Sequence, residues 1–190
     1  MTAQAEWADL VEVSAASVAG LVARAPESTD WTAIVPGMEW SLERVVEHVA
    51  DSFVWYGGQL LRGRLEGWPP WSVKLDGDIT PDSLGDLLIA TSRVLAGVVR
   101  SAPADALGFH PYGIAGPRDS AAMGCVEVLV HGEDLRRGLD ATWTPPREPV
   151  VAVLGHLFSV SDAGADPWGT LLDRCGRTGD DDWRWYNTGS

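Results

Sequence analysis

Apolar residues recur at alternating spacings of three and four in separate stretches of this chain, and that periodicity commits it to helices that each bury one stripe. The first stripe runs Trp7, Leu10, Val11, Val18, Leu21 and Val22 and stops before Pro26. The second runs Leu42, Val45, Val46, Val49, Phe53, Tyr56 and Leu60 behind Ser41 as N-cap, and predicts a helix from about Leu42 to Arg62. Thr80-Pro81 opens a third, in which threonine caps and proline takes the first helical position, where its missing N–H costs nothing. Leu84, Leu87, Leu88, Thr91, Leu95 and Val98 then share one face. A fourth helix is expected from Ala121 to about Leu139, capped by Asp119 or Ser120.

Within the fourth stripe, Val126 to His131 is β-branched enough to serve as a strand. The distinction bears on chemistry. Helical residues four apart lie roughly 6 Å apart along the axis and nearly in line, whereas strand residues four apart lie about 13 Å apart. Only a helix lets Glu127 and His131 meet at one point, and the Ala-rich approach predicts a helix.

Between the stripes, 63–77 and 104–117 carry Pro, Gly and aromatic residues without a period and are expected to be loops. After residue 143 a short apolar stretch, Val150 to Val160, precedes a Gly-, Asp- and Trp-rich tail that ends Trp183-Arg184-Trp185-Tyr186. The domain reading is therefore a four-helix bundle over 1–143 with a C-terminal extension, 144–190, packed on it. A chain of 190 residues buries roughly 70% of its unfolded surface, so it needs no metal to fold and any metal would serve chemistry.

Charge narrows the partners. With 27 acidic against 14 basic residues, the net −13 repels phosphate backbones and anionic headgroups, so neither nucleic acid nor a membrane surface is an expected partner. Lys74 is the only lysine, and the abundance of Arg, Ala, Gly, Asp and Val suggests a GC-rich, actinobacterial genome. Cys125 and Cys175 form neither a disulfide framework nor a CxxC clip, which fits a reducing cytoplasm. Met1 to Leu10 has no basic start and no sustained apolar run, and no stretch is long enough to span a bilayer, so a cytoplasmic location is expected.

Glu127 and His131 interrupt an otherwise apolar segment, Cys125 to Leu135, where an unpaired carboxylate would cost several kcal/mol. They are either an ordinary ion pair on a solvated helix edge, worth a few tenths of a kcal/mol, or two ligands of a divalent metal. His48, on the shoulder of the second stripe, is the natural third ligand; alternatively it is a core-edge histidine bonded to a backbone carbonyl. Three protein ligands would leave one position open for water or substrate. Asp134, one turn beyond His131, either holds a ligand in its tautomer or is a solvated acid. Trp55 and Tyr56, after His48 on the same helix, are expected pocket walls. His110 reads as an exposed loop histidine, His156 as amphipathic packing and Cys125 as an inert buried thiol. Phosphate loops, dinucleotide fingerprints, nucleophile elbows and HExxH are all missing from the sequence.

Three segments carry a family resemblance: Trp31 through Pro36-Gly37-Met38-Glu39-Trp40-Ser41 to Glu47-His48-Val49-Ala50, Val126 through His131-Gly132-Glu133-Asp134-Leu135, and Asp166-Pro167-Trp168 with Gly176-Arg177. They resemble the DinB-like metal-binding four-helix bundles, and within them the actinobacterial mycothiol-dependent maleylpyruvate isomerase family. The resemblance implies an all-α DinB-like bundle with a short C-terminal extension. It also implies a divalent metal, usually zinc, on His48, Glu127 and His131, with mycothiol as cosubstrate and a small electrophile as its partner. The reaction would be thiol addition, transfer or isomerisation; a homodimer is a further family expectation. The full isomerase is a longer protein with a second, carrier-protein-like domain. Here Gly176-Arg177 is either a remnant of that region supplying a cation or part of a solvated tail. The rival readings are a non-catalytic metal-binding or stress-response protein, and a hydrolase activating water at the same open position with Asp134 or Asp51 as base.

Overall fold

The computed structural model describes residues 2–111, 113–161 and 164–178. Its long helices form where the stripes lie: α1 (Ala3–Val22), α2 (Leu42–Arg62), α3 (Pro81–Ser101) and α4 (Pro117–Gly138). Their starts are chemically enforced. Ser41 Oγ accepts from the Arg44 N–H at 3.3 Å. Thr80 and Ser83 exchange a full capping box at 3.1 and 2.9 Å, with Pro81 in the first turn. Gly63, in the left-handed region, ends α2 and donates to the Gln59 carbonyl.

Helix α4 starts earlier than its sequence suggests. Gly116 is the N-cap and Pro117 the first helical residue. Asp119 does cap, but from inside the first turn, accepting the Gly116 N–H at 2.8 Å. Proline's fixed φ pre-forms the turn, and an acid three residues into a helix satisfies the donor before it.

α1 and α2 each pack on both α3 and α4, so α4 has neighbours on most of its circumference. It is buried without interruption from Ser120 to Gly132, and the segment Val126–His131 is helical throughout. A helix apolar all round belongs inside a core. This removes the solvated-edge account of Glu127 and His131.

The 104–117 segment is not simply a loop. It contains β1 (Gly108–His110) and β2 (Gly113–Ala115), an antiparallel pair in which Phe109 faces Ile114. Three-residue strands are too short to show a period of two. The hairpin lies directly on α2, and a Cβ at Gly108 would sit 2.9 Å from the Gln59 backbone carbonyl, so only glycine permits that approach.

Beyond the bundle, α5 (Arg147–Leu157) packs on α4 and α1, and α6 (Pro167–Arg174) packs on α5. Helix α6 lies in the Gly-, Asp- and Trp-rich tail, where no helix is expected from the sequence. Its start repeats the device of α3: Asp166 accepts the Gly169 N–H at 2.9 Å and Pro167 opens the first turn. Trp168, Leu171, Leu172 and Cys175 keep the three-and-four spacing, but over only two turns set among Gly and Asp. Trp143 ties the segment down, donating to Ser17 Oγ at 3.0 Å and meeting Trp168 edge-on at 5.9 Å. His156 packs as expected, on Trp7 at 5.0 Å, and it also bonds Asp119 at 2.8 Å. The Trp183–Tyr186 run lies outside the described residues. Among the described residues no helix is long and apolar enough to cross a membrane.

Candidate metal centre

His48 on α2 and Glu127 and His131, one turn apart on α4, converge at one point. His48 Nε2 lies 3.1 Å and His131 Nε2 3.6 Å from the same oxygen, Glu127 Oε2. One donor atom from each of the three lies within 4.8 Å of the others, an arrangement that can hold a metal ion. The two imidazoles meet edge-on at 4.9 Å. Glu127 and His131 are 6% and 2% exposed, so this is an interior site.

Each of the buried groups has its own support. Tyr56 donates its hydroxyl to Glu127 Oε1 at 3.0 Å. Burial works against a charge on Glu127, but the His48 hydrogen bond, the nearby imidazoles and Tyr56 outweigh it and hold its pKa below the ordinary carboxylate value. Asp134 is fully buried. It accepts from Arg177 Nη2 at 2.7 Å and lies 2.9 Å from His131 Nδ1. Burial again opposes its ionisation, and the bonds from His131 and Arg177 prevail. Of the two readings open for Asp134, the solvated acid is excluded and the partner of His131 is what the fold contains.

The tautomer of His131 follows from this pairing. An ionised Asp134 can only accept, so the imidazole proton sits on Nδ1. Burial is the largest influence on His131 and pushes its pKa down, against the opposing pull of Asp134, which keeps the ring neutral. Its Nε2 lone pair therefore points at a carboxylate oxygen 3.6 Å away. Two electron-rich atoms facing each other in the interior can hold a cation between them, and imidazole with carboxylate is a common donor set for divalent metals.

These ligands open on a cavity of about 630 Å³, whose walls include Met38, Trp40, Arg137 and Arg177. Trp40 stacks on His131 at 5.8 Å and tilts on His48 at 4.9 Å, while the Arg44 guanidinium covers its ring at 5.4 Å. Sequence reasoning missed this wall. The signal available was its place just before the N-cap Ser41, where an apolar side chain folds back on the first turns of the helix it precedes.

Neither Trp55 nor Tyr56 lines this cavity; Tyr56 reaches the site only through its hydroxyl on Glu127. Successive helical residues point about 100° apart, so a Tyr56 aimed at Glu127 sends Trp55 elsewhere. It joins an aromatic cluster with Trp68 at 5.4 Å, Phe109 at 6.5 Å and His110 at 5.9 Å. Nor is His110 exposed, as had been expected: the hairpin lays it on Tyr56 at 5.9 Å, and burial pushes its pKa down to about 4.

Arg177 is likewise no solvated tail residue, its side chain being only 10% exposed. Gly176, at φ +67°, turns the chain back at the end of α6, with Gly176 and Arg177 donating to the Asp173 and Leu172 carbonyls at 3.1 and 2.8 Å. That turn aims Arg177 at Asp134.

A family model described as the mycothiol maleylpyruvate isomerase N-terminal domain matches residues 11–136. The chain belongs to that family. The matched span contains His48, Glu127, His131 and Asp134, whereas α5, α6 and Arg177 lie beyond it. No curated protein and no solved structure matches the chain. Membership points to mycothiol-linked, DinB-like metal-binding chemistry, and the His–Glu–His cluster is where such a metal fits.

Proposed function

We propose that this protein binds one divalent cation, with zinc the leading candidate, through His48, Glu127 and His131, and uses it in a thiol-dependent transfer or isomerisation with mycothiol as cosubstrate. The observation that carries the reading is the convergence of three donor atoms within 4.8 Å on the wall of a cavity large enough for a small molecule, in a chain of this family. A cation held there supplies one thing, the loss of a thiol proton at neutral pH, which makes the nucleophile that adds to an electrophilic double bond or carbon centre. The chain's own groups do the rest. Tyr56 holds the Glu127 carboxylate in place, Asp134 turns His131 Nε2 inward, and Trp40 walls off the histidines on the cavity side. Arg137, on the same cavity, places a cation beside an anionic electrophile.

The hydrolase reading loses its bases. Asp51 accepts the Val73 N–H at 2.6 Å and so pins the 63–77 loop, and Asp134 is held between His131 and Arg177. A non-catalytic binding protein is the rival that remains. Metal analysis of the purified protein, followed by a thiol-consumption assay with mycothiol and small electrophiles, separates the readings. We expect stoichiometric metal, lost in the H48A/E127A/H131A variant, and turnover that requires it. Equal, substoichiometric metal in both proteins would refute the site, and stoichiometric metal without turnover would favour the binding protein. The small-molecule partners, the cytoplasmic location, the homodimer and the lack of nucleic-acid or membrane partners belong to this same proposal.

A further inference from the structure

We infer that Arg177 is a positioning residue for this centre, acting through Asp134 on His131, so that the segment beyond the family-matched span completes the site. The consequence for metal binding rests on the reading above; the geometry does not need the ion.

Asp134 is 0% exposed, and a carboxylate buried that deeply persists only where donors surround it. Arg177 supplies two, Nη2 to Oδ2 at 2.7 Å and Nε to Oδ1 at 3.3 Å, a two-point grip that fixes the plane of the carboxylate. Oδ2 is also the atom that meets His131 Nδ1 at 2.9 Å. The orientation of the imidazole is thereby set by a guanidinium 43 positions beyond Asp134 in the sequence. Arg137 cannot substitute, because its nearest nitrogen stands 4.0 Å from Asp134 and its Nη2 donates to the Pro36 carbonyl.

A cavity arginine could instead serve as a docking cation for an anionic substrate. The bonds of Arg177 argue against that use. Its third nitrogen, Nη1, donates to the Cys175 carbonyl at 2.9 Å, so Nε, Nη1 and Nη2 are all engaged with the protein. The turn at Gly176 that delivers the side chain is likewise locked by its two backbone bonds. Arg177 is built to hold a carboxylate of its own chain.

The test uses the full chain as wild type, R177Q, R177K, D134N and the R177Q/D134N double variant, with folding checked by circular dichroism. The first readout is hydrogen exchange of the His131 Nδ1–H by NMR in metal-free protein. Wild type should show a protected proton, R177Q should lose the protection, and R177K should fall between, since a single ammonium cannot grip both oxygens. The second is zinc affinity by competition with a chromophoric chelator. R177Q should bind on the order of tenfold more weakly, and the double variant no more weakly than D134N, because one residue acts through the other. Wild-type protection in folded R177Q overturns the inference, as do losses that simply add in the double variant. Should R177Q fail to fold, R177K decides: an intermediate value supports the role and a wild-type value overturns it. If the wild type binds no zinc, the proposed function fails, and the exchange measurement still judges Arg177.

Discussion

The Tyr56 hydroxyl donates to Glu127 Oε1 at 3.0 Å, while His48 and His131 face the other oxygen, Oε2. The carboxylate is thus divided: one oxygen is held by Tyr56, and the other faces the two imidazoles where the proposed cation would bind. Tyr56→Phe removes the first partner and leaves a buried acceptor unmet, which costs about 1–3 kcal/mol. Denaturant unfolding should show that loss, and zinc competition a weaker site, with the helical content unchanged.

His110 lies in the hairpin beside Tyr56, where burial pushes its pKa from 6.5 to about 4. The folded state prefers the neutral ring, so the unfolded chain binds more protons between those values and stability rises with pH there. The contribution is complete above about 6.5 and is lost as pH falls toward 4. An NMR titration of the His110 ring should place its midpoint near 4, and a midpoint near the ordinary value would show that the hairpin does not bury it.

Gly108→Ala puts a methyl group 2.9 Å from the Gln59 backbone. Neither chain can give way cheaply, so the hairpin must lift from α2, at about 1–3 kcal/mol. Thermal melts should fall, and the His110 titration should move back toward 6.5 as the ring regains solvent.

Removing the metal should leave the fold standing. The core of α1 to α4 is packed from apolar side chains such as Val11, Phe53, Leu95 and Leu129, all 0% exposed, so the bundle does not need the proposed ion to hold it together. Chelation should keep the far-ultraviolet circular dichroism signal and lower the melting temperature, because an ion bound to the native state alone stabilises by mass action. Collapse of the helical signal on chelation would assign the metal a structural role.

Much of the site was legible along the chain. His48, Glu127 and His131 announced themselves as polar groups inside apolar stripes, and helical periodicity decides which neighbours share a face. Ser41 and Thr80-Pro81 marked helix starts for a local reason, since caps and proline act on the adjacent turn. The same local logic explains the one displaced start, where Pro117 outranked Asp119. Trp55 shares a helical face with His48 but stands two turns, about 10 Å, further along α2, where it meets the hairpin and not the cavity.

What only the tertiary structure decided has a common cause: it depends on contacts between residues far apart in sequence. Strands as short as Gly108–His110 carry no period, and their position came from the bare backbone approach of Gly108 to α2. The burial of Asp134, the grip of Arg177 and the stacking of Trp40 on His131 arise where separate helices meet. The sequence by itself determined a helical bundle and the three groups able to hold a cation, because periodicity and residue type are local properties. The folded chain decided how those groups are oriented, since orientation is set by partners that the fold brings together.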